Sequence, residues 1–177
     1  VIDDVNEAGG MPTYNFREGV FEHAKKINGY EMLSRYKIGD TACFACPMAC
    51  GNVCLVKEGK YRGTVVEGPE YETACMFGPN IGVQNFAAIL RANQLCDELG
   101  IDTITAGNLI GVLMEAQETG LLSEKDLDGL NLKWGSEEAI LETVHRIAQR
   151  KGIGNILADG SYGVIKHWPQ LKPIISQ

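Results

Sequence analysis

Apolar positions recur at helical spacing through the second half of the chain. In "NFAAILRANQLCDELG" the residues Phe86, Ile89, Leu90, Leu95 and Leu99 fall near one side of a helix, and Gly100 follows as a C′ stop. Thr103 to Thr119 predicts a second helix with Leu109, Val112, Leu113 and Ala116 on one face, ending at Gly120. "SEKDLDGL" reads as a short capped turn. Ser136 to Lys151 is the clearest helix: Ser136 at the N-cap, Glu137 and Glu138 in the first turn, Arg150 and Lys151 before Gly152. Residues 153–177 carry one more short helical piece and then Pro169 and Pro173. Upstream the pattern changes. Residues 1–15, with Gly9, Gly10 and Pro12, read as an irregular arm, and Phe16 to Leu33 as one or two short helices broken near Gly29. "VCLVKEGKYRGTVVEGP" alternates β-branched residues around Glu58–Gly59, the signature of a hairpin. The fold class expected is mainly α: a single irregular helical domain over residues 1–177 with one small β-hairpin.

Composition narrows the partners. The 177 residues are 45% hydrophobic and 22% charged, with a net charge of −7. A chain near this size buries roughly 70% of its unfolded surface, enough for a real core. No basic run tracks phosphates, so nucleic acid is not an expected partner. No apolar stretch approaches the ~20 residues that span a bilayer. The start "VIDDVNEAGG" lacks both signal-peptide regions and an initiator Met, so a fragment of a longer chain, or a processed start, in the cytoplasm is expected. "GIGNILADG" fits no phosphate-binding loop.

The chemistry concentrates in "TACFACPMACGNVC". Cys43, Cys46 and Cys50 follow a C-x2-C-x3-C spacing, three thiols in eight residues. Secreted scaffolds spread cysteines to staple distant loops, whereas this clustering reads as metal binding in a reducing compartment. Zinc sites pair two knuckles, or one knuckle with two histidines. There is no second knuckle, and His23, His145 and His167 are scattered. A [4Fe–4S] cluster, with three clustered thiolates and a fourth from elsewhere, is the favoured reading over zinc or free thiols. Pro47 stiffens the loop. Cys54 reads either as a local fourth ligand or, preferably, as a small buried hydrophobe opening the hairpin. Cys75 and Cys96, inside apolar helical runs, are expected in the core.

A second constellation is Asp97-x-x-Gly100-Ile101-Asp102 at the helix–helix junction. Structurally, Gly100 ends one helix and Asp102 or Thr103 caps the next. Functionally, two carboxylates on one tight turn can accept paired N–H bonds from a planar guanidine-like edge such as a pterin.

With "MPTYNFREGVFE", "CFACPMAC", "EGPEYET", "LCDELGIDTITAGN" and the "WGSEEAILE" helix, the sequence resembles the aldehyde ferredoxin oxidoreductase family of tungsten and molybdenum enzymes through most of its length. The resemblance implies that Cys43, Cys46 and Cys50 bind a [4Fe–4S] cluster. It implies that Asp97, Gly100, Ile101 and Asp102 hold a pterin of a bis-pterin metal cofactor, with Ile101 in place of the family's leucine. It makes Glu72, then Glu70, the candidate catalytic carboxylates near the metal, in a dry pocket. The family's β-rich N-terminal domain, and the later domain bringing a second pterin motif and the fourth cluster cysteine, are absent from the sequence. The resemblance thus implies one middle helical domain of an oligomeric enzyme that oxidises aldehydes and reduces ferredoxin, inactive in isolation. The alternative is a stand-alone, non-catalytic iron–sulfur or zinc module.

Overall fold

The computed structural model describes residues 1–175. Its frame is two long helices, α4 (Phe86–Leu99) and α5 (Thr103–Glu118), with α6 (Glu137–Gln149) packed on α4 and against α5. The other helices are short: α1 (Ile2–Glu7), α2 (Gly29–Glu31), α3 (Tyr71–Met76), α7 (Ile153–Leu157), α8 (Gly160–His167) and α9 (Lys172–Ile175). The mainly α expectation holds. Among the described residues no helix is long and apolar enough to cross a membrane.

The small sheet has one strand more than expected. β1 (Lys37–Thr41), β2 (Gly51–Leu55) and β3 (Val65–Glu67) lie in that order, all antiparallel. The expected hairpin is β2–β3, with Cys54 opposite Val66 and Leu55 opposite Val65. β1 escapes a pattern reading because "KIGDT" carries one apolar side chain, and its pairing with β2 spans the whole cysteine segment.

α5 is the axis of the core. It is buried on nearly all sides: Ala106, Ile110 and Met114 are as inaccessible as the expected Leu109, Val112, Leu113 and Ala116. A helix wrapped by α3, α6, α8 and α9 needs no polar face. Its contact with α3 and the following turn is a ladder. Thr73 Oγ1 lies 2.7 Å from Thr103 Oγ1. Met76 sits over Gly107, and Asn80 over Gly111, where its Nδ2 donates to the Gly107 carbonyl at 3.3 Å. Two glycines four apart make the groove that admits this close approach.

Two expectations are corrected. Residues 1–15 are not a loose arm: α1 is tied by Asn28 Nδ2 to both Asp3 oxygens, Met11 is fully buried, and Asn15 Nδ2 donates to the buried Glu115 at 2.6 Å. The tail holds α7, α8 and α9 rather than one helical piece, with Pro169 and Pro173 in first turns, where a missing N–H costs nothing; residues 176–177 lie outside the description. The Ser136 N-cap of α6 is found where expected but without its side-chain bond. Instead Glu137 receives Tyr61 Oη at 2.7 Å and Asn85 Nδ2 at 3.0 Å, joining the β2–β3 loop, α4 and α6. Trp134 serves the N-terminal segment, edge-on to Tyr14 at 5.3 Å and donating to Glu118 at 3.0 Å.

Candidate functional site

The cysteine segment forms the connection between β1 and β2. Antiparallel pairing of Thr41 with Gly51 closes the base of the loop. Inside it Cys46 N donates to Cys43 O, and Cys50 N to Met48 O, both at 3.0 Å, while Ala45 takes a left-handed φ of 59°. Cys43, Cys46 and Cys50 are all exposed, as are Phe44 and Met48 between them.

The other three thiols differ in kind. Cys54, Cys75 and Cys96 are buried, and desolvation pushes them up to about 11, 11 and 12 respectively. At neutral pH they stay protonated, which makes them poor metal ligands without rearrangement. Cys54 faces the core from β2, the preferred of its two expected roles. Three soft, accessible donors on one loop fit an iron–sulfur cluster, one ligand short of four. Among the described residues, no three His, Cys, Asp or Glu side chains are already gathered as a metal cage.

The Asp97–Asp102 junction is built as a helix stop and start. α4 ends with Gly100 at φ 67°, and Ile101 N reaches back to Cys96 O at 2.9 Å. Asp102 caps α5, accepting from Thr105 N at 2.7 Å; the Thr105 hydroxyl and then this N–H hold its carboxyl below the usual range. Asp97 accepts from the buried Asn93 Nδ2 at 2.9 Å; partial burial and then the nearby Glu67 charge push it up. Each carboxylate is thus partly engaged within the protein. A carboxylate offers about four lone-pair sites, so capacity for N–H donors remains. Beside the turn lies a cleft of about 370 Å³, lined by Gly100, Ile101, Asp102, Leu109, Ile147 and Leu157.

The "EGPEYET" segment runs from β3 into α3. Glu70 stands at the N-cap and Glu72 in the first turn, both exposed. The expected dry pocket is therefore not formed around Glu72 by this chain. Glu70 does edge a second, mainly apolar hollow of about 220 Å³ with Ile27, Met32, Tyr71 and Phe86. Tyr71 is itself perturbed, pushed to about 12 by burial and by its bond to Cys75.

The structure brings this segment and the Asp97–Asp102 turn together through residues that a motif reading misses. Asn93 lies between Gly68 and Asp97, and Thr73 bonds Thr103. The Asn93–Asp97 spacing of i, i+4 is visible in "NQLCD"; the threonine pair, thirty positions apart, leaves no local signal.

Fold and site define a mostly helical domain that sets an exposed three-thiol loop and an acidic helix junction on a compact core. A family profile described as aldehyde ferredoxin oxidoreductase, domains 2 & 3, matches residues 1–175. A tungsten-containing aldehyde ferredoxin oxidoreductase from Pyrococcus abyssi is 40% identical over 92% of the chain and 26% of its own length. One from Pyrococcus furiosus is 35% identical over 100% of the chain and 29% of its length. The WOR-like subunit of an aliphatic sulfonate oxidoreductase from Pyrococcus furiosus is 35% identical over 75% of the chain. Among solved structures, the active site complex BamBC of benzoyl coenzyme A reductase shares the fold over 78% of the chain and 20% of its own, with a TM-score of 0.64 and 24% identity. The chain belongs to the aldehyde ferredoxin oxidoreductase family. It spans under a third of the length of the curated relatives it matches.

Proposed function

We propose that this chain is one helical domain of a tungsten- or molybdenum-pterin oxidoreductase that oxidises aldehydes to carboxylic acids and passes the electrons to ferredoxin. The observation that supports this best is the division of the cysteines: three exposed on the β1–β2 loop at C-x2-C-x3-C spacing, three locked in the core. When bound, the metal–pterin supplies two-electron chemistry at a carbonyl carbon and the [4Fe–4S] cluster carries single electrons onward.

The chain's own residues then have distinct tasks. Cys43, Cys46 and Cys50 hold the cluster as thiolates. Asp97 and Asp102 accept N–H groups of the pterin edge, while Gly100 and Ile101 present backbone at the turn. Adding water to an aldehyde and removing two electrons releases two protons; a Glu72 oxygen takes one, Glu70 being the second candidate for that role. Water exclusion around Glu72 falls to the remaining domains of the parent enzyme, which also complete the cluster and the second pterin. We place the enzyme in the cytoplasm, as an oligomer.

The test is metal analysis with reconstitution. Anaerobic treatment with iron and sulfide should produce a broad absorption at the blue end of the visible range, and Cys46→Ser should abolish it. Equal reconstitution of the mutant, or zinc in place of iron in the anaerobically purified protein, would refute the cluster assignment.

A further inference from the structure

The acidic start of α3 and the Asp97–Asp102 turn are far apart in sequence, yet three contacts join them. Thr73, 7% exposed, and Thr103 share a hydroxyl–hydroxyl bond of 2.7 Å. Thr73 directly follows Glu72, and Thr103 directly follows Asp102, so this bond is one residue from a candidate functional carboxylate on either side. Asn93, 5% exposed, donates to Asp97 at 2.9 Å from Nδ2. Its Oδ1 faces Gly68 so closely that a Cβ there would lie 2.5 Å away. Gly68 has a φ of 130° and is anchored by its N–H to Asn52 O at 2.7 Å. Below these contacts, the Met76–Gly107 and Asn80–Gly111 steps of the ladder prevent α3 from sliding along α5.

We propose that the Thr73–Thr103 pair and Asn93 are positioning residues that clamp the Glu70–Glu72 helix start and the Asp97–Asp102 turn into one rigid unit. This rests on the proposed function, in which both segments serve one cofactor site. The hydroxyl bond matters for its length. Two hydroxyl oxygens approach to 2.7 Å, whereas carbon atoms in van der Waals contact stay about 3.5–4.0 Å apart. Replacing both hydroxyls by methyls therefore moves the first turn of α3 off α5 by about 1 Å. A displacement of that size at a reacting centre can cost on the order of 100-fold in rate. Stability responds differently. Removing one partner strands a buried hydroxyl, while replacing both by apolar groups of the same shape can be nearly neutral.

The full-length parent oxidoreductase, purified with its metal, provides the test. The variants are Thr73→Val, the double Thr73→Val/Thr103→Val, Thr73→Ser and Asn93→Leu. Each is measured for thermal midpoint, tungsten and molybdenum content, aldehyde kcat and KM, and amide exchange of residues 68–76. Thr73→Val alone should melt earlier, and the double variant should recover only part of that loss, because no hydroxyl is stranded but its methyls still hold α3 off α5. Its kcat should stay about 10–100-fold low, with faster exchange in 68–76. Thr73→Ser should restore both, and Asn93→Leu should reproduce the kcat loss with accelerated exchange. A double variant with parental kcat and parental exchange would overturn the clamp while leaving the functional reading standing. So would a kcat loss that merely follows the melting temperature. A wild-type parent that holds neither metal and oxidises no aldehyde would overturn the functional reading, and the clamp with it.

Discussion

Gly107→Ala should destabilise the chain, against the ordinary preference of helices for alanine. A Cβ at position 107 would stand 2.7 Å from Met76 Cβ, 2.7 Å from Met76 O and 2.8 Å from its carbonyl carbon. All three belong to Met76's backbone or its first side-chain atom, so no rotamer change clears the way. α3 must move off α5 by about 1 Å, the gap between these distances and normal carbon contact. Overpacking of this kind costs about 1–3 kcal/mol, with unyielding backbone towards the upper end. Alanine returns about 1 kcal/mol of helix propensity. The net is a loss of about 1–2 kcal/mol, or roughly 2–8 °C in midpoint for a chain of this size. Gly29→Ala is the control. It starts α2, and an added Cβ meets nothing within 4 Å, so the same substitution should stabilise by about 0.4–1 kcal/mol. Far-UV circular dichroism melts of the two variants should move in opposite directions. If Gly107→Ala melts at or above the parent, the ladder is looser than the distances require.

Other outcomes follow from the same geometry. Cys54→Ser should leave reconstituted iron essentially unchanged, since Cys54 faces the core; a sharp fall in iron content would make it a ligand. Asp102→Ala should lose both the α5 cap, about 1 kcal/mol, and cofactor retention in the full-length enzyme. Charged hydrogen bonds are worth about 1.5–3 kcal/mol, so retention should fall by about one to two decades. Asp102→Ser keeps a capping oxygen and should lose retention with little change in melting; full metal content in that variant would reduce Asp102 to a cap. In acid titrations Asp102, depressed when folded, contributes stability that is present above the ordinary carboxylate range and fades as pH falls through its lowered value. Asp97, raised when folded, acts in the opposite sense, so Asp97→Asn should melt no earlier than the parent at pH 7. The 177-residue chain alone should be mostly helical yet oxidise no aldehyde with an artificial electron acceptor; measurable turnover would refute its role as one domain among several.

What a pattern reading could reach depended on the range of the interactions involved. α4, α5 and α6 announce themselves because a helix buries a stripe with a short repeat, and Gly100 marks its own break by φ. The β2–β3 hairpin is equally local. β1 was invisible, since its partner lies across the thiol loop and "KIGDT" has no alternating apolar face. The N-terminal segment misled for a related reason. Glycines at 9 and 10 look like slack, but Asn15 is held by a carboxylate one hundred positions away, and no composition rule anticipates that bond. In the candidate site only the C-x2-C-x3-C cysteines stand out by spacing; the Asp97–Asp102 turn reads first as a helix stop and cap, and Glu70 and Glu72 were singled out only through the family resemblance. Their supports were not legible at all, because Asn93, Thr73 and Thr103 are ordinary residues made important by where the chain returns.

The Asp97–Asp102 turn shows why a structural and a functional reading of one residue need not compete. Capping uses a single Asp102 oxygen, aimed at Thr105 N by the start of α5. That bond orients the carboxylate, and the Thr105 hydroxyl, then the same N–H, favour its charged form. A fixed, ionised acceptor is what paired N–H groups of a planar ligand require, because little ordering remains to be done on binding. Asp97 is held differently, by a buried amide, and its charge is disfavoured by burial and by Glu67. N–H donors arriving at this turn would relieve that penalty at Asp97 and find Asp102 already oriented. Asp102→Ala would then lose cap and acceptor together, whereas Asp102→Ser would keep the cap and lose the acceptor, and the comparison of the two separates the roles.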